Sequence, residues 1–496
     1  MLALAKNFAY LEIMLLMGWA AYFLCLSTQS KKEVGHFPLI VLSSFYLCLF
    51  FLPLFLLIHI ALLLLPLLLA RTRGQLLTVM IVGCLGIPTL SFSLTTGGIY
   101  LFDWPTHATL GLGGLMALAT TRRDPRSEST HRNVSVIIFL VLMIFIALRG
   151  TSSTNWLRQT AAVLLTYGIP VFVIGNCLRS PADRRTLLST LTGMGSMLAV
   201  VLTYEARAHW PLFVSLYNKF DISLPGLVAK FRGGAMRAYG PLDESTAAGF
   251  ALVIAFAAAL ACGQDFRRGP ARYAIPALMM LGVLAPQSRG GVLGMATVIL
   301  CYAFYRYGTA GLLKAVAVLV PFATAYLVRN SYKAGQLTDT QVTVDYRQQL
   351  FARGVQEFWK HPIAGDTMSN VSNRLIDLKQ GEGIIDFVNS YLYFALATGF
   401  VGLLAFCFVM FYPPATLFLR RRKWVRDPST IAFGAFAFGA LMAASVMLVF
   451  TSIPTRPMII VLAIAGAALA LRAPMARPTT AVKPRRPEPR GAPEAV

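Results

Sequence analysis

The sequence predicts an all-α, polytopic transmembrane helical bundle, and three features of its 496 residues carry that reading. Apolar residues make up 56% of the chain and charged residues 13%, about half the charged share of a globular protein. So few charges cannot clothe a water-facing surface. Runs such as 37–70 and 134–148 are apolar and almost free of charge, the length or near-length that crosses ~30 Å of hydrocarbon. The cationic residues gather in short segments between those runs, as they do in the cytoplasmic loops of membrane proteins. A disulfide-stapled secreted scaffold, a disordered chain and an ordinary cytosolic enzyme are excluded together.

In chain order, spans are expected at about 7–27, 39–70, 76–96, 104–119, 134–148, 161–177, 187–205, 246–262, 273–285, 292–305, 314–328, 389–410, 430–450 and 458–472. Arg71–Arg73, Arg122–Arg126, Arg179–Arg185, Arg267–Arg272 and Arg420–Arg426 are short basic segments, each assigned to the cytoplasm. Fourteen spans with both termini inside satisfy nearly every loop, but leave Lys31–Lys32 outside. The 39–70 stretch is long for one helix, and Pro53 or Pro66 can kink or divide it, so the expected count is about twelve to fourteen. A transmembrane domain over 1–472 is followed by a basic, proline-rich cytoplasmic tail, 473–496, whose composition predicts disorder.

The net charge of +23, from 44 Lys+Arg against 21 Asp+Glu, matches an anionic leaflet through this distribution and does not require nucleic acid. The seven cysteines lie in or beside apolar runs without a CxxC pair, so neither a disulfide framework nor a zinc site is expected, and no cofactor fingerprint stands out. No small-residue cleavage pattern precedes Lys31–Lys32.

Two long loops, 207–245 and 329–388, fall on the outer side, where arginine is ordinarily scarce. A loop of that length usually serves as a lid or a binding element. The second has helical periodicity around Asp345–Lys360, with Leu350, Phe351, Val355 and Phe358 on one face, suited to a membrane surface or to packing on the bundle.

Arg289, in Pro286-Gln287-Ser288-Arg289-Gly290-Gly291, is the sharpest polar signal. A guanidinium at membrane depth is tolerated when it faces a cavity or an anion, and its fork of donors suits phosphate oxygens. The alternative is a snorkelling arginine in a helical hairpin. Arg237 either contacts the same anion or pairs with Asp243 or Glu244, and Arg347 has the same choice with Asp345. Asp386 and Asn389 share a helical face at the mouth of the next span. Asp386 can take a proton from a sugar hydroxyl or cap that helix. His361 precedes a proline and, without a spaced partner, fits a turn better than a metal site.

With these residues assembled, the chain resembles the O-antigen ligase and O-antigen polymerase superfamily of bacterial envelope glycosyltransferases, best over about 237–404. Three pieces carry the resemblance: Ser288-Arg289-Gly290-Gly291; His361-Pro362-Ile363-Ala364-Gly365; and Val388-Asn389-Ser390-Tyr391-Leu392 running on to Gly399-Phe400-Val401-Gly402-Leu403-Leu404. The resemblance implies a substrate glycan linked to undecaprenyl diphosphate and transfer on the periplasmic side of the inner membrane, without nucleotide sugar or essential metal. It implies diphosphate binding by Arg289, helped by Arg237 and Arg347, with Asn389 and His361 in the substrate site, and leaves Asp386, Glu382 or His361 to act as the base. A flippase and a chain-length regulator are the implied protein partners. Ligases of this group carry a histidine before the asparagine, where this sequence has Val388. Valine cannot accept a proton, so the resemblance points to the exopolysaccharide-polymerase branch. A ligase, or a transporter of lipid-linked glycan, is the alternative.

Overall fold

The computed structural model describes residues 2–96, 99–122, 133–222, 231–232, 235–331, 338–379, 385, 387–424 and 427–471. Asp386, Glu382 and the tail 473–496 lie outside the described residues. Among the described residues seven helices are long and apolar enough to cross a membrane: Leu2–Cys25, Thr28–Phe51, Asn155–Cys177, Pro181–Ala208, Ser245–Gln264, Ser390–Arg420 and Pro428–Met447. Shorter apolar helices accompany them, among them Phe55–Leu69, Arg73–Gly86, Val134–Leu148, Ala271–Leu284 and Thr455–Ala470. The chain is a polytopic helical membrane protein.

Pro53 sets the direction of the first helices. The Phe37–Phe51 helix stops at Leu52, in extended conformation, and a new helix starts at Phe55, while Pro66 stays inside that second helix. Proline disfavours the helical conformation in the residue before it and has no amide hydrogen to donate. The carbonyls left at this end take a cation instead. Lys219 Nζ donates to Leu49, Phe50 and Leu52 at 3.4, 3.0 and 2.7 Å. The expected 39–70 span is therefore two helices, which reverses the helix before it. Asn7 Nδ2 donates to Leu212 O at 3.0 Å, Arg267 N donates to Cys25 O at 2.8 Å, and Glu33 pairs with Arg185 at 2.6 Å. Lys31–Lys32 thus lie at the same end of the bundle as Arg185 and Arg267, and the N-terminal end of the first helix lies at the other, so the expectation of both termini on the basic side does not hold.

The interior is built from Pro181–Ala208, Ser245–Gln264 and Pro428–Met447, whose most apolar windows are 78%, 83% and 78% buried. The last two are rich in alanine, with glycine and serine among them. Helices in a bilayer gain little from hydrophobicity against lipid, so small residues that let backbones approach are what hold such an interior together.

Among the described residues two antiparallel hairpins depart from the all-helical expectation. Ser91–Thr96 pairs with Ile99–Pro105, and Phe231–Arg232 pairs with Ala235–Met236. The first contains threonine, tyrosine, phenylalanine and tryptophan, which favour a half-buried strand, and its first strand ends the span expected at 76–96.

Two long helices are broken at glycines. Arg289–Ser331 has non-helical backbone at Gly308 (φ 71°), between the two spans expected there. Ser390–Arg420 is broken at Gly399 (φ 67°), inside what reads as one continuous apolar run. The turn at 362–366 fits into that second break: Phe400 N donates to Pro362 O at 2.7 Å and Asp366 N donates to Leu396 O at 2.9 Å. Gly365 also has positive φ, and a Cβ there would stand 2.5 Å from Leu396 O. The two glycine motifs, far apart in sequence, are one packed junction. Gly399→Ala is expected to cost about 1–2 kcal/mol for the left-handed backbone alone, with the clash against Ile363 and Ala364 added. Thermal unfolding in detergent reads this.

The loop helix spans Thr338–Lys360. Leu350, 2% exposed, packs with Val371, Leu375, Leu392 and Leu396, so the helix rests on its own bundle. Two sets of ion pairs brace the loop: Arg374 bridges Glu357 (2.6 Å) and Asp366 (2.7 Å), and Arg353 meets Asp377 at 2.5 Å.

Candidate functional site

The site is assembled at the end of the bundle opposite Arg185 and Arg267. The Ala271–Leu284 helix runs to a tight turn in which Gln287 takes positive φ (52°), and Arg289 opens the next helix. Ser288 Oγ accepts from Gly291 N at 3.2 Å, satisfying one of the first amides of that helix. The 231–238 segment is stitched to this turn through main-chain oxygens. Arg232 Nη1 donates to Gln287 O (3.0 Å), Gln287 Nε2 to Ala235 O (3.1 Å), Arg237 Nε to Pro286 O (3.4 Å) and Ala238 N to Ala285 O (3.3 Å). Guanidinium groups from separate stretches of sequence are thereby brought side by side.

Arg232, Arg237, Arg289 and Arg347 line one small cleft of about 30 Å³, with Thr246 and Ser288 in its wall. Burial, and then the charges of Arg232 and Arg347, pull the pKa of Arg237 down to about 10, against an opposing pull from Glu244. Arg237 stays cationic at neutral pH, in a field that an anion would relieve. Arg289 is exposed and, among the described residues, meets no carboxylate.

Arg289, Arg347 and Phe450 also line a larger groove of about 490 Å³, whose other walls include Leu293, Phe351, Val388, Leu392 and Val449. A charged cleft thus opens onto an apolar groove. The combination suits an amphiphile with an anionic head and a hydrocarbon tail. Val388 faces this groove. The start of the Ser390–Arg420 helix is fixed to the wall that bears Val449 and Phe450: Ser390 Oγ donates to Thr451 O at 2.7 Å and Ser390 N donates to Leu448 O at 2.9 Å.

A second layer holds the 237–246 segment. Arg456, 3% exposed, donates through Nη2 to Pro241 O at 2.6 Å and to Asp243 Oδ2 at 2.7 Å, and through Nη1 to Ile87 O. Asp243, itself at positive φ (66°), also accepts from Tyr217 OH and from Thr89 N (3.3 Å). The fully buried Glu205 accepts from Leu212 N at 3.0 Å and Gly240 N at 2.9 Å. The carboxylate of Asp243 therefore pairs with Arg456, so the sequence alternative of an Arg237–Asp243 pair does not form.

The other expected site residues are placed as follows. Asn389 lines the groove and caps the Ser390–Arg420 helix, its Oδ1 accepting from Tyr391 N (3.0 Å) and Leu392 N (3.1 Å). The cap expected of Asp386 is thus made by Asn389, one residue before the first helical turn. His361 lines neither cavity; its Nε2 stands 3.7 Å from Asp366 Oδ2 in the 361–366 turn. Arg232, Thr246 and Phe450 were not singled out from sequence. Arg232 carried the same signal as Arg237, an arginine in an outer loop, but the strand pairing that turns it to the cleft is not visible in the residues. Glu244 accepts from Thr246 Oγ1 at 3.3 Å, which puts a carboxylate next to the cleft wall.

No curated protein matches the chain. Residues 274–407, from the helix before Arg289 to the second half of the broken helix, match the model of the family described as O-antigen ligase, Wzy_C.

Proposed function

We propose that this protein is a polysaccharide polymerase of the bacterial inner membrane, joining glycan repeat units carried on undecaprenyl diphosphate at the periplasmic face. The observation that carries the reading is the cleft of four guanidinium groups opening onto an apolar groove. The basic segments at the opposite end of the bundle support an orientation with the cleft outward. In the reaction, a terminal hydroxyl oxygen of one unit bonds to the anomeric carbon of the other. The bond from that carbon to the diphosphate oxygen breaks, and undecaprenyl diphosphate leaves with both electrons. Charge gathers on the leaving diphosphate, where fixed guanidinium groups stabilise it without reorganising. Arg289 and Arg237 are the principal ligands, with Arg232 and Arg347 completing the cradle and Asn389 beside the sugar. The hydroxyl proton passes to a carboxylate and then to water. Asp386 and Glu244 are the candidates, and Gln at either position tests them: the base variant loses kcat and leaves donor KM near wild type.

Because guanidinium groups hold the charge, transfer is expected to persist in EDTA. Leu293→Gln or Val449→Gln is expected to raise the KM for a long-chain donor about tenfold, the loss of one apolar contact of about 1.4 kcal/mol. A donor carried on a short prenyl chain should feel the change less. Equal sensitivity of both donors would remove the groove from the lipid site.

The family description favours a second reading, ligation of finished glycan to lipid A core or protein. Val388 in place of the usual histidine is the reason to prefer polymerisation. A deletion strain separates them. Loss of a polymerase accumulates single repeats, whereas loss of a ligase accumulates long undecaprenyl-linked chains. Conversion of purified lipid-linked repeats in liposomes without a gradient argues against a transporter, and failure to convert them there would count against both enzymatic readings.

A further inference from the structure

Resting on that reading, we infer that Arg149 is a positioning residue of the transfer site: it locks the long loop into the broken helix and so keeps Arg347 over the cleft. Arg149 follows the Val134–Leu148 helix, far in sequence from every residue of the cleft. Its Nη1 donates to Ala364 O and to Ala397 O, both at 2.5 Å, and its Nη2 donates to Gly365 O at 3.0 Å. One oxygen belongs to the half-helix that ends at Gly399, and two belong to the loop turn inserted into that break. The next residue, Gly150 (φ 72°), brings its backbone against Thr367 on the same turn.

The physical logic is that of an interrupted membrane helix. A break in the helix leaves carbonyls without their helical partners, another group must satisfy them, and the carbonyl end of a half-helix favours positive charge. Here a fixed guanidinium bridges three oxygens of two segments, in addition to the backbone hydrogen bonds from Phe400 N to Pro362 O and from Asp366 N to Leu396 O that join them. From the turn, Thr338–Lys360 runs back toward the cleft as one rod, gripped at Gly354 by Leu392 and carrying Arg347. A shift of the turn is therefore transmitted along a rigid element to a guanidinium in the cleft. Lysine has one point charge and cannot span three acceptors in a plane.

The test uses the full-length protein in liposomes with lipid-linked repeats, comparing wild type, Arg149→Lys, Arg149→Ala and Arg289→Ala. Arg149→Ala is expected to raise donor KM at least tenfold with kcat changed less, and Arg149→Lys to recover part of it. Hydrogen exchange should quicken over 338–378 and stay unchanged in the Pro181–Ala208 and Ser245–Ala261 helices. Donor KM within twofold of wild type for a folded Arg149→Ala protein, or exchange quickened throughout the bundle with KM unmoved, overturns the inference. The two failures are separable, because full activity of Arg289→Ala would strike the functional reading itself. A second variant, Gly365→Ala, attacks the same junction from the loop side. Combined with Arg149→Lys it should add little beyond the larger single effect, and strict additivity would contradict a shared junction.

Discussion

Arg289→Ala is expected to abolish detectable polymer while leaving a folded, membrane-inserted protein. Loss of one preorganised charge-stabilising donor typically costs about 10²–10³ in kcat. Arg289 meets no carboxylate among the described residues, and it opens its helix, where the first amides are free. Its ligand therefore gains from guanidinium and helix terminus together. Being exposed and outside the packed interior, its side chain contributes little to stability, so thermal unfolding should move by less than about 0.5 kcal/mol. Arg289→Lys keeps the charge and loses the fork, so activity between that of alanine and wild type is expected. Initial rates with purified lipid-linked repeats, beside unfolding curves of each variant, give both quantities.

Arg456→Met is expected to act through structure. Removing one partner of a buried ion pair leaves the other charge uncompensated, at a cost of about 3–5 kcal/mol. Among the described residues Asp243 would keep Tyr217 and Thr89 as donors, and the 240–243 turn that precedes the Ser245–Ala261 helix would lose the bridge from Pro241 O through Arg456 to Ile87 O. Arg237 sits on the adjoining residues, so donor binding should weaken along with stability. Asp243→Asn in the same chain removes the stranded charge and should restore part of the loss, a coupling that a double-mutant cycle measures. Equal losses from Arg456→Met with and without Asp243→Asn would show that the two groups are not paired.

The sequence made the membrane class legible because hydrocarbon imposes long apolar runs, and those runs are local. The Val134–Leu148 helix is found at the residues expected of it. What was lost depends on contacts between distant segments. Pro53 and Pro66 look alike in an apolar run, yet only Pro53 divides it, where Lys219 from a far loop takes up the freed carbonyls. Gly399 lies in an unbroken apolar stretch, and its break exists because the 362–366 turn enters it. Arg237, Arg289 and Arg347 stood out as arginines where few are expected, and they line one cleft. Arg232 belongs with them only through a two-residue hairpin, and the three acceptors of Arg149 come from segments far away in the sequence. The sequence offered Asp386 as a cap, and the cap is made by Asn389 because the first turn begins at Ser390.

The central claim is that these guanidinium groups bind a diphosphate whose hydrocarbon lies in the adjoining groove. Binding of undecaprenyl diphosphate to the purified protein tests it most directly, with inorganic pyrophosphate as competitor. The account predicts displacement by pyrophosphate and affinity lowered about tenfold or more by Arg289→Ala or Arg237→Gln, each the loss of at least ~1.4 kcal/mol. It predicts no change for Arg71→Ala at the opposite end of the bundle. Equal affinity in all four proteins, or binding that pyrophosphate does not disturb, would contradict it.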